Sequence, residues 1–83
     1  MKNNELFRDY RNTPCPMNFV KITMDLVGMP VGQQLRVLLD DGEPIEKVPN
    51  SLIRDGQRIV EQQKMGDHWS LLILKVVEYG EIG

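Results

Sequence analysis

The sequence predicts an α/β (α+β) two-layer sandwich with its elements in the order βαβαββ. Three observations carry this. One segment repeats its apolar residues at helical spacing, while several short runs are strand-compatible. Glycine, proline and aspartate punctuate the borders between them. The 83 residues make one small domain, 1–83, with an ordered core at about 5–77. Helices that bury one face each close such a core most simply by packing on a sheet.

The elements follow in order. Glu5 to Tyr10 mixes apolar and charged residues and reads as a first strand. It ends in Arg11-Asn12-Thr13-Pro14-Cys15-Pro16, where two prolines bracket the cysteine. Proline fixes φ and lacks an N–H, so Cys15 should be extended and Pro16 can open a helix at its first position. From Met17 to Val27, Phe19, Ile22 (with Thr23) and Leu26 share one helical face, with Lys21 and Asp25 off it. Gly28 and Pro30 stop that helix and Val31-Gly32-Gln33 turns the chain. Gln34 to Leu39 reads as a buried strand, and Asp40 to Pro44 as a turn. Pro49 would remove a hydrogen bond from the interior of a longer helix. An irregular turn over 45–48 and a short helix from Pro49 to Asp55 are therefore expected, with Leu52 and Ile53 inward and Gly56 as cap. Gln57 to Lys64 and Trp69 to Val77 form a hairpin around Met65-Gly66-Asp67-His68, and Glu78 to Gly83 fray.

Composition excludes several classes. The longest apolar run, Leu71 to Leu74, falls far short of the roughly 20 residues needed to span a bilayer. The opening MKNNELFRDY lacks the apolar core of a signal peptide. One cysteine cannot form an internal disulfide, which argues against a disulfide-stapled secreted module and for a cytoplasmic protein. Ten Lys+Arg against twelve Asp+Glu, with the basic residues scattered, argue against a nucleic-acid partner.

Only Cys15 has surroundings that look arranged for reactivity. A helix N-terminus presents unpaired N–H groups and a partial positive charge, which favour a thiolate over a thiol. Pro16 has no N–H, so the candidate donors are the amides of Met17, Asn18 and Phe19. Arg11, four residues before, and Lys21, six after, can add a positive field if the loop folds back. A lone cysteine in a small domain also serves as a buried, small apolar residue. His68 has no carboxylate or cysteine at ligand spacing and reads as a solvated turn residue. Asp40, Asp41 and Glu43 read as a solvated turn rather than a cation site. Trp69 reads as core or rim packing. Met17, Met24 and Met29 offer either an adaptable docking surface or gap-filling in the core, the latter expected for at least two of them.

Asp9-x-Arg11-x-x-x-Cys15-Pro16 followed by an amphipathic helix resembles the signature of the TusA/SirA-like sulfur-carrier family, roughly L-D-x-R-G-x-x-C-P-x-P. The resemblance runs from about Leu6 to Lys75. Val31 to Val37 resembles the family's "PGE-x-L-x-V", Val48-Pro49 its "I-P", Gly56 its "GH" junction, and Trp69 to Lys75 its closing strand. Asn18 replaces the second motif proline and Asn12 the motif glycine, which marks a divergent branch with C-P-M-N in place of C-P-x-P. Asn18 can cap a helix through its side chain, and Asn12 tolerates a left-handed backbone.

The resemblance implies a single TusA-like domain with both helices on one face of a mixed four-stranded sheet. It implies that Cys15 accepts a sulfane sulfur as a persulfide and hands it to an acceptor protein. The donor would be a cysteine desulfurase or a rhodanese-type enzyme, and no cofactor or metal is required. Pro16 would set the helix start, and the amides at Met17, Asn18 and Phe19 would stabilise the sulfur anion. Arg11 and Lys21 would supply positive field, and Asp9 would be structural. The competing readings are a non-catalytic interaction or regulatory module in which Cys15 is inert, and an RNA-binding sandwich, which a clustered basic face would favour.

Overall fold

Strand β1 (Glu5–Asp9) is followed by helix α1 (Met17–Val27), strand β2 (Gln34–Asp40), helix α2 (Glu43–Arg54) and strands β3 (Arg58–Met65) and β4 (His68–Leu74). The computed structural model describes residues 5–79. The sheet order is β1-β2-β4-β3. β1 pairs in parallel with β2, as a strand–helix–strand crossover requires, and β4 runs antiparallel to both β2 and β3. The βαβαββ order and the mixed four-stranded sheet are as expected.

The core forms on one side of the sheet only. Leu35, Val37 and Leu39 alternate inward along β2, and Leu71 and Ile73 do so along β4. Against them pack Ile22, Leu26 and Met29 from α1 and its exit, and Ile45, Val48 and Leu52 from α2. The opposite face is half-covered by its own side chains. There Arg36 reaches Glu5 at 3.0 Å, the Ser70 hydroxyl at 2.6 Å and Glu61 at 3.2 Å, so one guanidinium ties β2 to the other three strands.

Helix α2 corrects the expectation of a break at Pro49. It is one helix, with Pro49 buried in its interior. Ile45, Val48, Pro49 and Leu52 stand at the i, i+3, i+4, i+7 positions of a single apolar face. Burying that face on the sheet outweighs the one hydrogen bond that Pro49 cannot donate. Pro44 lies in the first turn, where no donor is lost, and Glu43 and Glu46 complement the N-terminal dipole. Ile53, expected inward, is 56% exposed, because a helix running from Glu43 turns it to solvent. Gly56 follows with φ +98°, a conformation that favours glycine.

Two buried polar groups close the far end. Gln57, 4% exposed, donates to the Val77 carbonyl at 3.0 Å and accepts from the Val76 amide at 2.7 Å. Lys75 is fully buried, and its Nζ donates to the Met29 carbonyl at 2.6 Å and to Glu78 at 3.0 Å. Tyr79 packs against the core. Glu78 and Tyr79 thus have partners where fraying was expected; 80–83 lie outside the described residues. Of the methionines on or beside α1, Met29 fills the core, whereas Met17 and Met24 are 47% and 68% exposed, so only one serves as core packing. Among the described residues no helix is long and apolar enough to cross a membrane.

Candidate functional site around Cys15

β1 and β2 are parallel, so their carboxyl ends share one rim, and both helices start there. Tyr10 continues the ladder, its amide donating to the Leu38 carbonyl at 3.0 Å. The Tyr10 hydroxyl then donates to Asp25 on α1, with Arg8 3.5 Å from the same carboxylate. These contacts fix where the loop of residues 11–16 leaves the sheet. Asn12 has φ +63°, the left-handed conformation that asparagine tolerates, and its amide donates to the Asp40 carboxylate at 2.7 Å. The loop is therefore tied to the end of β2 before it reaches the cysteine.

Cys15 is half-buried and free, and its peptide bond to Pro16 is cis. Pro16 is the N-cap of α1 rather than its first residue, so the helix begins one residue later than expected. The Asn18 amide donates to the Pro14 carbonyl at 3.1 Å and the Val20 amide to the Pro16 carbonyl at 3.0 Å. The Phe19 amide donates to the Asn18 Oδ1 at 2.6 Å. Asn18 therefore binds a first-turn amide from inside the helix, not as its N-cap. Of the three amides expected to face the sulfur, those of Asn18 and Phe19 are already engaged. That of Met17 is the one without an acceptor among the described residues.

The expected positive field is also redistributed. The Arg11 guanidinium folds onto Asp9, with contacts of 2.9 and 2.7 Å, and the Arg11 amide joins at 3.1 Å. The bonds from Arg11 hold the Asp9 carboxyl down at about 2. Asp9 is thus the loop's anchor for Arg11. Lys21 is exposed on α1, off its buried face.

Two clefts meet at Cys15. An open groove of about 450 Å³ lies between the 12–15 loop and the start of α2, with Asp40, Asp41, Glu43 and Pro44 as its far wall. Its acids have local partners. Trp69 donates its indole N–H to Asp41 at 2.8 Å and Lys64 lies 3.7 Å away, which together hold the Asp41 carboxyl below its usual range. Glu43 pairs with Lys47 at 3.6 Å. His68 sits against Asp67 at 2.9 Å. Among the described residues no three metal-ligating side chains converge.

The second cleft, about 140 Å³, runs between the two helices. Cys15, Pro16, Asn18 and Phe19 form one wall, and Lys47, Val48 and Ser51 the other. Lys47 and Ser51 were not anticipated. They are one helical turn apart on α2, a relation visible only when the segment is read as one helix through Pro49.

The fold and rim define a small α/β sandwich that carries a lone thiol where its first loop meets its first helix. The family model for sulfurtransferase TusA matches residues 8–75, and the chain belongs to that family. A protein of Archaeoglobus fulgidus named "Putative sulfur carrier protein" is 34% identical over 68 residues, which cover 81% of this chain and 77% of the relative. A second protein of that organism, with the same name, is 26% identical over 68 residues, covering 82% and 93%. The crystal structure of a SirA-like protein from Desulfitobacterium hafniense matches with a TM-score of 0.73 at 16% identity, covering 87% of this chain and 99% of that one. That likeness supports the fold. Membership of the family gives the chain a sulfur-transfer role in general terms, exercised with protein partners.

Proposed function

We propose that the chain is a cytoplasmic sulfur carrier in which Cys15 bears the travelling sulfur as a persulfide. The observation that carries this reading is the placement of the chain's single thiol, half-buried, at a loop-to-helix junction where two clefts meet, in a chain of this family. The Cys15 thiolate attacks the terminal sulfur of a donor persulfide, R–S–SH. A new S–S bond forms on Cys15, the donor's S–S bond breaks, and R–S⁻ leaves, so that Cys15–S–SH retains the proton. An acceptor thiolate repeats the exchange in the outward direction. Neither step needs a cofactor or metal.

The donor in this reading is a cysteine desulfurase or a rhodanese-type enzyme. Met17, Val20, Met24 and Val27 form an exposed apolar line on α1 beside the thiol, and support contact with protein partners. Pro16 sets the helix start, and the Met17 amide is the available backbone donor. Asn18 and Phe19 shape the inter-helix cleft. Arg11 and Asp9 brace the loop as a pair, and Lys21 contributes general charge only.

The test is intact mass after incubation with a cysteine desulfurase, cysteine and pyridoxal phosphate. Wild type should gain the mass of one sulfur, reversibly with reductant, and Cys15→Ser should gain nothing. No gain in wild type, with Cys15 slow toward iodoacetamide, would instead make the chain a binding module of the same fold.

A further inference from the structure

Asn18 is fully buried, and its side-chain orientation is fixed. Its Oδ1 accepts from the Phe19 amide at 2.6 Å, so the oxygen and nitrogen cannot be exchanged without setting two donors against each other. Its Nδ2 is left buried with no acceptor among the described residues. Folded proteins rarely leave such a donor unused, and each case calls for an explanation.

The surroundings supply one. Asn18 lines the 140 Å³ inter-helix cleft with Cys15, three residues earlier. Pro16, Phe19 and Val48 make that cleft largely apolar, with Lys47 and Ser51 opposite. A largely apolar cleft lined by a residue with a spare buried amide donor suits a small, polarisable anion. The one such atom the proposed chemistry generates is the terminal sulfur of a Cys15 persulfide.

We propose that the cleft between α1 and α2 is the seat of the transferred sulfur, with the Asn18 side-chain amide as its hydrogen-bond donor. This rests on the persulfide reading above and goes beyond it. It assigns a role to the residue by which this chain departs from the C-P-x-P motif. A proline there has no side-chain donor, so the seat is a property of this chain's asparagine. The acidic groove on the other side of Cys15 offers carboxylates, which repel the same atom. The loaded sulfur therefore turns toward the helices.

The test uses the full chain loaded at Cys15, comparing wild type with Asn18→Leu and Asn18→Pro. The second variant restores the family's own residue, so at least one donor-free protein should fold. Circular dichroism checks the fold and intact mass checks loading. The readout is the pH dependence of alkylation of the loaded sulfur. A hydrogen bond to the anion favours its ionised form, so removing Asn18 should move the midpoint up by about one pH unit, roughly tenfold in anion fraction below it. The same midpoint in wild type and both folded, loaded Asn18 variants would overturn the seat, and would mean that Nδ2 holds only a water. Carriage on Cys15 would then still stand. Failure of wild type to load would overturn carriage and the seat together.

Discussion

Replacing Tyr10 by phenylalanine tests the brace that positions the reactive loop. The Tyr10 hydroxyl donates to Asp25 at 2.5 Å and joins the end of β1 to the middle of α1. Burial first, and the bond to the Asp25 carboxylate second, push the phenol up to about 12 from an ordinary 10.0. Two pH units correspond to about 2.7 kcal/mol. The group is partly exposed, so screening reduces this to about 1–2 kcal/mol. The folded-state value is the higher one. The stabilisation is therefore complete below the unfolded value near 10 and is lost as pH rises through about 12. Independently of that alkaline loss, Tyr10→Phe removes a hydrogen bond to a charged group and should lower stability by about 1–2 kcal/mol at neutral pH, given the partial exposure. It should also remove that part of the alkaline loss. Urea unfolding at neutral pH and at steps between 10 and 12 gives the first comparison. The phenolate absorbance difference between the proteins isolates Tyr10, because Tyr79 is the only other tyrosine. A variant as stable as wild type at neutral pH, or a Tyr10 that titrates at its ordinary value, would refute the brace.

Three further substitutions probe the helices and their exits. Pro49→Ala returns a donor to the Ile45 carbonyl and removes an interior-proline penalty of about 3 kcal/mol. It also forfeits about 1.6 kcal/mol of buried methylenes and frees the unfolded chain by about 0.4–1 kcal/mol. Denaturant unfolding should show a net gain of about 1 kcal/mol or less; a loss larger than that would mean that the ring's packing decides α2. Gly56→Ala places a Cβ 3.1 Å from the Val77 side chain at φ +98°, whereas Gly32→Ala, at φ +99°, meets open space. Both should destabilise by about 1–2 kcal/mol from backbone strain, with Gly56→Ala the worse. Equal losses would show that Val77 yields without cost.

Local signals made most of the architecture legible. The apolar spacing of α1, the Asp-Gly turn before α2 and the hairpin around Gly66 each act over a few residues and survive folding unchanged. Pro49 misleads because its cost is local and intrinsic, whereas its reward is tertiary. Four apolar side chains on one face are worth more than one missing hydrogen bond. That misreading propagated, since breaking the helix there concealed Lys47 and Ser51 as neighbours of Cys15. At the cysteine the neighbourhood was legible but its wiring was not. Charge and spacing placed Arg11 within reach of Cys15, yet Asp9 lies closer in sequence and binds it. The Asn18 amide goes to the Pro14 carbonyl at ordinary i→i−4 spacing, ahead of the expected helix start, whereas the Phe19 amide goes to the neighbouring asparagine's own side-chain oxygen, which no spacing rule identifies.

The strand order leaves β1 and β3 as the two open edges of the sheet, each a row of backbone donors and acceptors that an unrelated strand could extend. Along β3 the pairing register slips between Ile59 and Glu61, so the edge is bent there, and Glu61-Gln62-Gln63-Lys64 follows as a polar run. The bend and the polar run make that edge a poor template for a further strand. At this edge, contacts with other chains therefore fall to side chains rather than to a shared backbone ladder.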